Sequence, residues 1–181
     1  MEDIERFEIE QPGPQFRLRV NRTSSLFLTT TWQRIDFNGT SARNANSFPV
    51  GTMGGKPKVH WDPTNKTMRF MTVVDQTYNL QLSTRITSSS LLALAGLAIT
   101  KVHLRLVVPS PTPMYMPLSD ATDPFVDMCA VNLTGASQNT FGLPIFADAA
   151  VREYGVGIEF RLSAPLADVY LTAADLFVYG R

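Results

Sequence analysis

The residues whose types could support catalysis or ligand binding are a glycine-rich loop, two histidines, one cysteine and a group of aspartates. The loop Gly51-Thr52-Met53-Gly54-Gly55-Lys56 resembles a phosphate-binding loop, in which backbone N–H groups and a lysine hold phosphate oxygens. Its spacing is one residue short, and Pro57 stands where a Ser or Thr would bind Mg²⁺. We therefore interpret this stretch as an ordinary loop.

The two histidines and the cysteine lie in apolar surroundings in the sequence. His60 and His103 each sit between apolar neighbours in a strand-like segment, with no second His or Cys at metal-ligand spacing. Cys129 lies in an apolar stretch, and no Gly-x-Ser-x-Gly motif occurs. We expect two sheet histidines with hydrogen-bonding partners and a buried structural cysteine. A single cysteine also excludes an internal disulfide.

Asp120, Asp123 and Asp127 form the densest group of carboxylates. Paired carboxylates can act as acid and base or bind Ca²⁺. Pro124 splits the group, however, and the ligand spacing of a calcium loop is missing, so a solvated loop is the better interpretation. The sequence thus predicts no catalytic residue, no metal site and no cofactor.

Charge and hydropathy exclude several classes of partner. The 181 residues carry 16 basic and 16 acidic side chains, and this zero net charge argues against nucleic-acid binding. The longest apolar run, Leu91–Ile99, is too short to cross a bilayer, which takes about 20 residues. Met1–Glu10 is acidic and polar, unlike a signal peptide. Charged residues are only 18% of the chain, which suggests that partners cover part of its surface.

Hydrophobic residues recur with a period of two, as in strands that bury one face. The pattern is clear at 78–82, 102–106, 156–162 and 169–179, and residues 26–32 are β-branched and aromatic. We predict an all-β, antiparallel β-sandwich of the jelly-roll type, with the last strand central. Leu91–Ile99 is ambiguous, because its Leu and Ala residues favour a helix whereas Leu92, Leu94 and the break at Gly96 also suit a buried strand, which we favour. Most of the aromatic residues are expected in the core rather than on a base-stacking platform. Residues 1–22 are predicted as an N-terminal arm, whose residues 16–20 alternate as in a strand, and residues 23–181 as one jelly-roll domain.

Several segments carry a family resemblance. They are Leu28–Ser41 (LTTTWQRIDFNGTS), Asn46–Pro49 (NSFP), Trp61–Phe70 (WDPTNKTMRF) and Ala174–Tyr179 (ADLFVY). A Thr-rich strand running into Trp-Gln-x-Ile-x-Phe, a hairpin with an Asp…Asn-Lys loop and an aromatic closing strand resemble bacteriophage structural domains with a tumour-necrosis-factor-like jelly roll. The resemblance covers mainly residues 26–86 and 168–180.

The resemblance implies a homotrimer that serves as a virion structural protein rather than an enzyme. Only 22 residues precede the predicted domain, too few for a fibre shaft, so we expect a capsid decoration (cement) protein that binds the major capsid protein at the capsid surface. The alternative is a receptor-binding tip or head fibre that recognises the host surface, for example a glycan. Leu91–Ile99 and Met68–Met71 are candidates for the three-fold contact, and the arm is expected to contact the shell or an adjacent subunit.

Overall fold

Alternating side chains along the strands produce two antiparallel sheets packed face to face. The computed structural model describes residues 16–38, 52–53, 56–57, 59–72, 75–88, 100–116, 124–130 and 135–180. In chain order its elements are β1 (Phe16–Arg22), β2 (Leu26–Phe27), β3 (Gln33–Arg34), β4 (Thr52–Met53), β5 (Lys56–Pro57), β6 (Val59–Asp62), β7 (Thr67–Phe70), β8 (Gln76–Ser88), β9 (Lys101–Val108), β10 (Met114–Met116), β11 (Val126–Ala130), β12 (Gly135–Ala147), α1 (Ala149–Tyr154), β13 (Gly157–Leu162) and β14 (Val169–Gly180).

Sheet I has the order β1-β14-β8-β12, with β2 pairing to β14 beyond the end of β1. Sheet II has the order β10-β9-β13-β3, with β11 pairing to β9 beside β10. Successive long strands alternate between the sheets: β8 lies in sheet I, β9 in sheet II, β12 in sheet I, β13 in sheet II and β14 in sheet I. This crossing pattern is that of a jelly roll, and the predicted fold class is confirmed.

The core lies between the sheets because each strand buries every second side chain. In β8, Tyr78, Leu80 and Leu82 are almost fully buried while the residues between them face outward. In β9 the same alternation sends Val102, Leu104 and Leu106 into the core. The predicted central position of the last strand is also confirmed, since β14 pairs with β1 on one side and with β8 on the other.

The start of the described chain differs from the predicted arm. Phe16–Arg22 pairs with β14 along its whole length, and Leu18 and Val20 are buried in the core. Residues 16–22 therefore belong to the jelly roll, because their apolar side chains alternate in phase with the buried face of sheet I. The rest of the predicted arm, residues 1–15, lies outside the described residues.

The predicted strand at residues 26–32 is interrupted. The backbone N–H of Leu28 donates to Val169 of sheet I (2.9 Å), whereas Thr29 accepts a hydrogen bond from Leu162 of sheet II (2.7 Å). The chain thus crosses between the sheets at this point. The Gln33 side chain holds the crossing by accepting from the Thr29 N–H (3.0 Å).

The connection from β12 to β13 contains α1, the one helix of the described chain. Asp148 caps it by accepting from the Val151 N–H (2.9 Å), and Gly155 ends it with a φ of 76°. This six-residue helix is too short to cross a membrane, and no other helix occurs in the described ranges. The sequence did not predict β12, where Pro144 and Gly142 weaken the strand signal. Pro144 is tolerated because β12 is an edge strand.

Candidate functional site

The outward side of sheet II carries a continuous group of charged and aromatic side chains. Alternation in β9 and β13 turns one set of residues into the core and the intervening polar set outward. Side chains from β3, β10 and β11, and from the residues directly before β3 and β11, complete the group. We call it the arginine–aromatic face; its members are Trp32, Arg34, Lys101, His103, Arg105, Tyr115, Phe125, Asp127, Glu159 and Arg161.

A buried carboxylate organises one end of this face. Glu159 Oε2 accepts from Arg105 Nε at 2.8 Å, and Oε1 accepts from an Arg34 guanidinium nitrogen at 3.1 Å. Glu159 and Arg105 are each only 8% exposed although they lie on the outward side of the sheet. Gly157 makes room for Arg34, since a Cβ at residue 157 would lie 2.9 Å from Arg34 Nε. One carboxylate thus fixes two guanidinium groups.

The arginines also stack on aromatic rings. The Arg105 guanidinium carbon lies 4.0 Å from the Tyr115 ring centroid and 4.1 Å from that of Trp32. Arg161 lies over the same Trp32 ring at 4.5 Å and 5.4 Å from the Phe125 centroid. Trp32 is therefore shared between two cations. Such contacts contribute about 0.5–2 kcal/mol each, more when water is excluded.

The stack ends on His103 and Asp127. His103 stacks on Phe125 with centroids 3.8 Å apart, and its Nε2 lies 3.2 Å from Asp127 Oδ1. His103 Nδ1 accepts a long hydrogen bond from Arg161 Nε (3.5 Å). Asp127 also accepts a hydrogen bond from the Lys101 ammonium, and this bond, with the nearby positive charge, lowers the pKa of Asp127. His103 is thus a sheet histidine with partners at both nitrogens, as expected from the sequence.

The outward side of sheet I is different in chemistry. Its long central strands, β8 and β14, and its edge strand β12 present mainly uncharged side chains. We call this surface the neutral face. Its described members are Arg19, Phe27, Thr77, Asn79, Gln81, Ser83, Arg85, Thr87, Gln138, Thr140, Gly142, Pro144, Phe146, Tyr170, Asp175, Phe177 and Tyr179. Three of these described residues are charged, and Arg19 and Asp175 approach each other at 4.0 Å.

Aromatic side chains are exposed on the neutral face. Phe27 is 44% exposed and stacks on Tyr170, with ring centroids 5.5 Å apart. Phe146 is 54% exposed, and Tyr179 stacks beside Phe177 at 5.4 Å. A shallow depression of about 340 Å³ lies beside Tyr179, lined by Asn79, Gln81, Thr140, Gly142 and Pro144. The expectation that the aromatic residues lie in the core is therefore wrong for both outer faces.

The structure brings two of the sequence candidates together, since His103 and Asp127 lie 3.2 Å apart, and it places His60 elsewhere. His60 lies on β6 and lines a depression of about 440 Å³ with Trp61, Asp62 and Arg69. Asp127 lies in strand β11 rather than in a loop, and Asp120 and Asp123 lie outside the described residues. Cys129 also lies in β11, opposite Val102.

The remaining candidates are placed as follows. In the glycine-rich stretch, Met53 pairs with Lys56 in a short hairpin, and Gly51, Gly54 and Gly55 lie outside the described residues. No three described His, Cys, Asp or Glu side chains come together to hold a metal ion. The absence of catalytic, metal and cofactor sites remains a prediction.

Of the two segments proposed for a three-fold contact, Met68–Met71 is the wrong choice. Met68 is fully buried and Phe70 is 1% exposed, because β7 packs into the core and Met68 bridges to Val156. Leu91–Ile99 lies outside the described residues.

Sequence reasoning missed the arginine–aromatic face. A usable signal was present: the outward positions of β9 and β13 hold Lys101, His103, Arg105, Glu159 and Arg161, which can pair across neighbouring strands. The participation of Trp32 and Tyr115 carried no such signal, since both come from segments other than β9 and β13.

Comparisons with known proteins concern the fold. No protein-family profile and no curated protein sequence matches the chain. Among solved structures, the PRD1 vertex protein P5 is similar at 12% identity with a TM-score of 0.49, covering 93% of this chain and 96% of that one. The globular domain of the zebrafish complement 1qA protein is similar at 15% identity with a TM-score of 0.41, covering 92% and 94%. Similarities at this level assign neither a family nor a role to the chain.

Proposed function

We propose that this protein is a structural protein of a bacteriophage virion, a homotrimer that decorates the capsid by binding the major capsid protein. The phage context and the three-fold symmetry come from the resemblance of residues 26–86 and 168–180. The observation that carries an assembly role is the neutral face, because it exposes aromatic side chains on a surface with few charges. Interfaces between permanently associated subunits have this composition.

The neutral face is large enough for a subunit contact. Strands β8 and β12 have 13 residues each and β14 has 12. At about 3.3 Å per residue such strands are roughly 40 Å long, and four strands about 4.8 Å apart give a surface of roughly 600–800 Å². A standard interface buries about 800 Å² on each partner. Because the centre of the surface is uncharged, identical copies can meet there without burying unpaired charges.

Gln81→Arg tests this contact. Gln81 is exposed at the centre of the neutral face, opposite Phe177 on β14 and Gly142 on β12. Symmetry repeats the introduced charge in every subunit, and burying it unpaired is costly, so the variant should dissociate. Light scattering should give roughly three times the 20.1 kDa chain mass for the native protein and a single chain mass for the variant. Thr64→Arg, in the exposed β6–β7 turn, is the matched control and should keep the native mass.

Two results would contradict the assembly proposal. A native protein that is monomeric at micromolar concentration excludes a stable trimer. If Gln81→Arg and Thr64→Arg both retain the trimer mass, the neutral face is not the contact.

Capsid decoration is tested by adding the purified protein to phage heads that lack it. We expect saturable binding and greater resistance of the heads to heat. Specific binding to host cells that blocks infection, without binding to heads, would instead favour the receptor-binding alternative.

We also propose that no side chain carries catalysis. Within the described chain His103 and Asp127 form the pair most like an acid–base dyad, yet His103 Nδ1 faces Arg161 rather than a nucleophile. A glycan-hydrolysing activity that is lost in Asp127→Asn would contradict this proposal.

A further inference from the structure

The charged side chains of the arginine–aromatic face are packed against one another rather than exposed separately to water. His103, Arg105 and Glu159 are each less than a tenth exposed, although they lie on the outward side of sheet II. We propose that this face binds an acidic segment of another protein. The inference rests on the proposed function in one respect, namely that this other protein belongs to the virion. It gives the molecule a second binding surface, on sheet II, whose chemistry differs from that of the neutral face.

Charge favours an acidic partner. Among the described residues of the face, Arg34, Lys101, Arg105 and Arg161 contribute four positive charges and Asp127 and Glu159 contribute two negative ones. With neutral histidine, these described residues have an excess of two positive charges. The whole chain, in contrast, has no net charge. Glu159 and Asp127 each contact two basic side chains, so basic groups outnumber carboxylates among the described residues of the face, and this favours an added carboxylate.

The residue types favour a polypeptide partner. Tryptophan, tyrosine and arginine dominate the binding energy of protein interfaces, and all three types are stacked together here. Trp32 is clamped between Arg105 and Arg161 at 4.1 and 4.5 Å, so these side chains are already ordered before a partner arrives. Binding to ordered side chains loses less conformational entropy. Phe125, which is 38% exposed, offers an apolar contact at the edge of the charged group.

A polyanion fits less well than a protein. Proteins that bind nucleic acids neutralise about six to ten phosphates with basic side chains. Here the face has an excess of two positive charges, and two of its arginines are committed to Glu159. An acidic peptide strand, with a few carboxylates alternating with apolar side chains, matches both the small charge excess and the aromatic rings.

The test is selection of binders from a yeast-displayed library of random peptides, using the full-length native protein. We expect the selected peptides to be rich in Asp and Glu with interspersed Leu, Phe or Tyr. Their affinity should fall about tenfold or more in Arg161→Gln, which removes a charge-assisted contact. Lys66→Gln, an exposed lysine in the β6–β7 turn outside both faces, is the matched control and should bind as the native protein does.

A second variant covers the case in which Arg161→Gln fails to fold. The Lys101 side chain is 46% exposed, so Lys101→Gln should leave the fold intact and weaken binding by about threefold or more. The molecular mass of every variant is measured in parallel. A trimer that selects no acidic peptides would refute this inference alone, whereas a monomer that selects them would refute the trimer alone.

Three further results would overturn the inference. They are the selection of basic or uncharged peptides, equal binding by the native protein and Lys101→Gln, and tighter binding to single-stranded DNA or a sulphated oligosaccharide than to any selected peptide at the same salt concentration.

Discussion

Glu159→Gln is a direct test of how the arginine–aromatic face is held together. The substitution keeps the size of the side chain and replaces one carboxylate oxygen with an NH₂ group. That group is a donor, and it must face either Arg105 or Arg34, both of which are also donors in the native contacts of 2.8 and 3.1 Å. One charge-assisted hydrogen bond is therefore lost, and the other is weakened because its acceptor is no longer charged.

The expected cost follows from burial. A hydrogen bond to a charged group contributes about 1.5–3 kcal/mol, and removing one partner of a buried ion pair costs about 3–5 kcal/mol. The Arg105 side chain is only 10% exposed, but its stacking on Trp32 and Tyr115 remains, and the Arg34 side chain is 27% exposed and can turn to water. We therefore expect a loss of about 2–4 kcal/mol in the free energy of unfolding.

Urea unfolding followed by tryptophan fluorescence measures this loss. Native protein and variant are compared at one protein concentration, because the unfolding of an oligomer depends on concentration. Asp168→Asn is the matched control: it also removes one carboxylate charge, but Asp168 is exposed in the turn before β14 and lies outside both faces. That change should cost less than about 0.5 kcal/mol. A loss below about 1 kcal/mol for Glu159→Gln, or equal losses for both variants, would refute the reasoning.

Two further predictions concern the backbone and pH. Gly155→Ala should cost about 2–4 kcal/mol, because Gly155 has a φ of 76° and a new Cβ would lie 2.6 Å from the Met68 carbonyl oxygen. Thr64→Ala, in the exposed β6–β7 turn, should keep a melting temperature close to that of the native protein, and similar melting temperatures for both variants would contradict this prediction. Asp127→Asn should lower the melting temperature near neutral pH, where the hydrogen bond from Lys101 holds the pKa of Asp127 below its usual range. A lowered pKa means that the stabilisation is present above the ordinary value of about 3.9 and is lost as the pH falls through the pKa of the folded state. The melting temperatures of the native protein and the variant should therefore converge in acid. A difference in melting temperature that stays constant down to about pH 2 would show that charge is not the cause.

The contrast between the two outer faces has a consequence for assembly. If copies associate through the neutral face, the arginine–aromatic face lies on the opposite side of each sandwich and stays accessible to a different partner. Substitutions on one face should therefore leave the function of the other unchanged, since residues this far apart with no shared contacts act independently.

The sequence by itself determined the fold class and the main strands. Period-two alternation is a local property of the chain, and it identified β8, β9, β13 and β14 because each of these strands buries one face. The sequence also predicted the turn at 62–66, because the turn is held by local contacts: Asp62 accepts hydrogen bonds from the N–H groups of Thr64 and Asn65.

Only the tertiary structure decided where the paired strands end and which contacts the outward side chains make. The break at Leu28 depends on Val169 and Leu162, which lie more than a hundred residues away in the sequence. The burial of Leu18 and Val20 likewise required β14 as a neighbour of β1. Strand propensity alone cannot show which partner a strand finds.

The arginine–aromatic face shows the same limit most clearly. Its charged residues could be read from the alternation in β9 and β13, but the stacking of Arg105 and Arg161 on Trp32 joins three separate segments of the chain. A guanidinium group in water and one between aromatic rings have the same sequence signature. What distinguishes them is the exclusion of water by neighbours that only the folded sheet brings together.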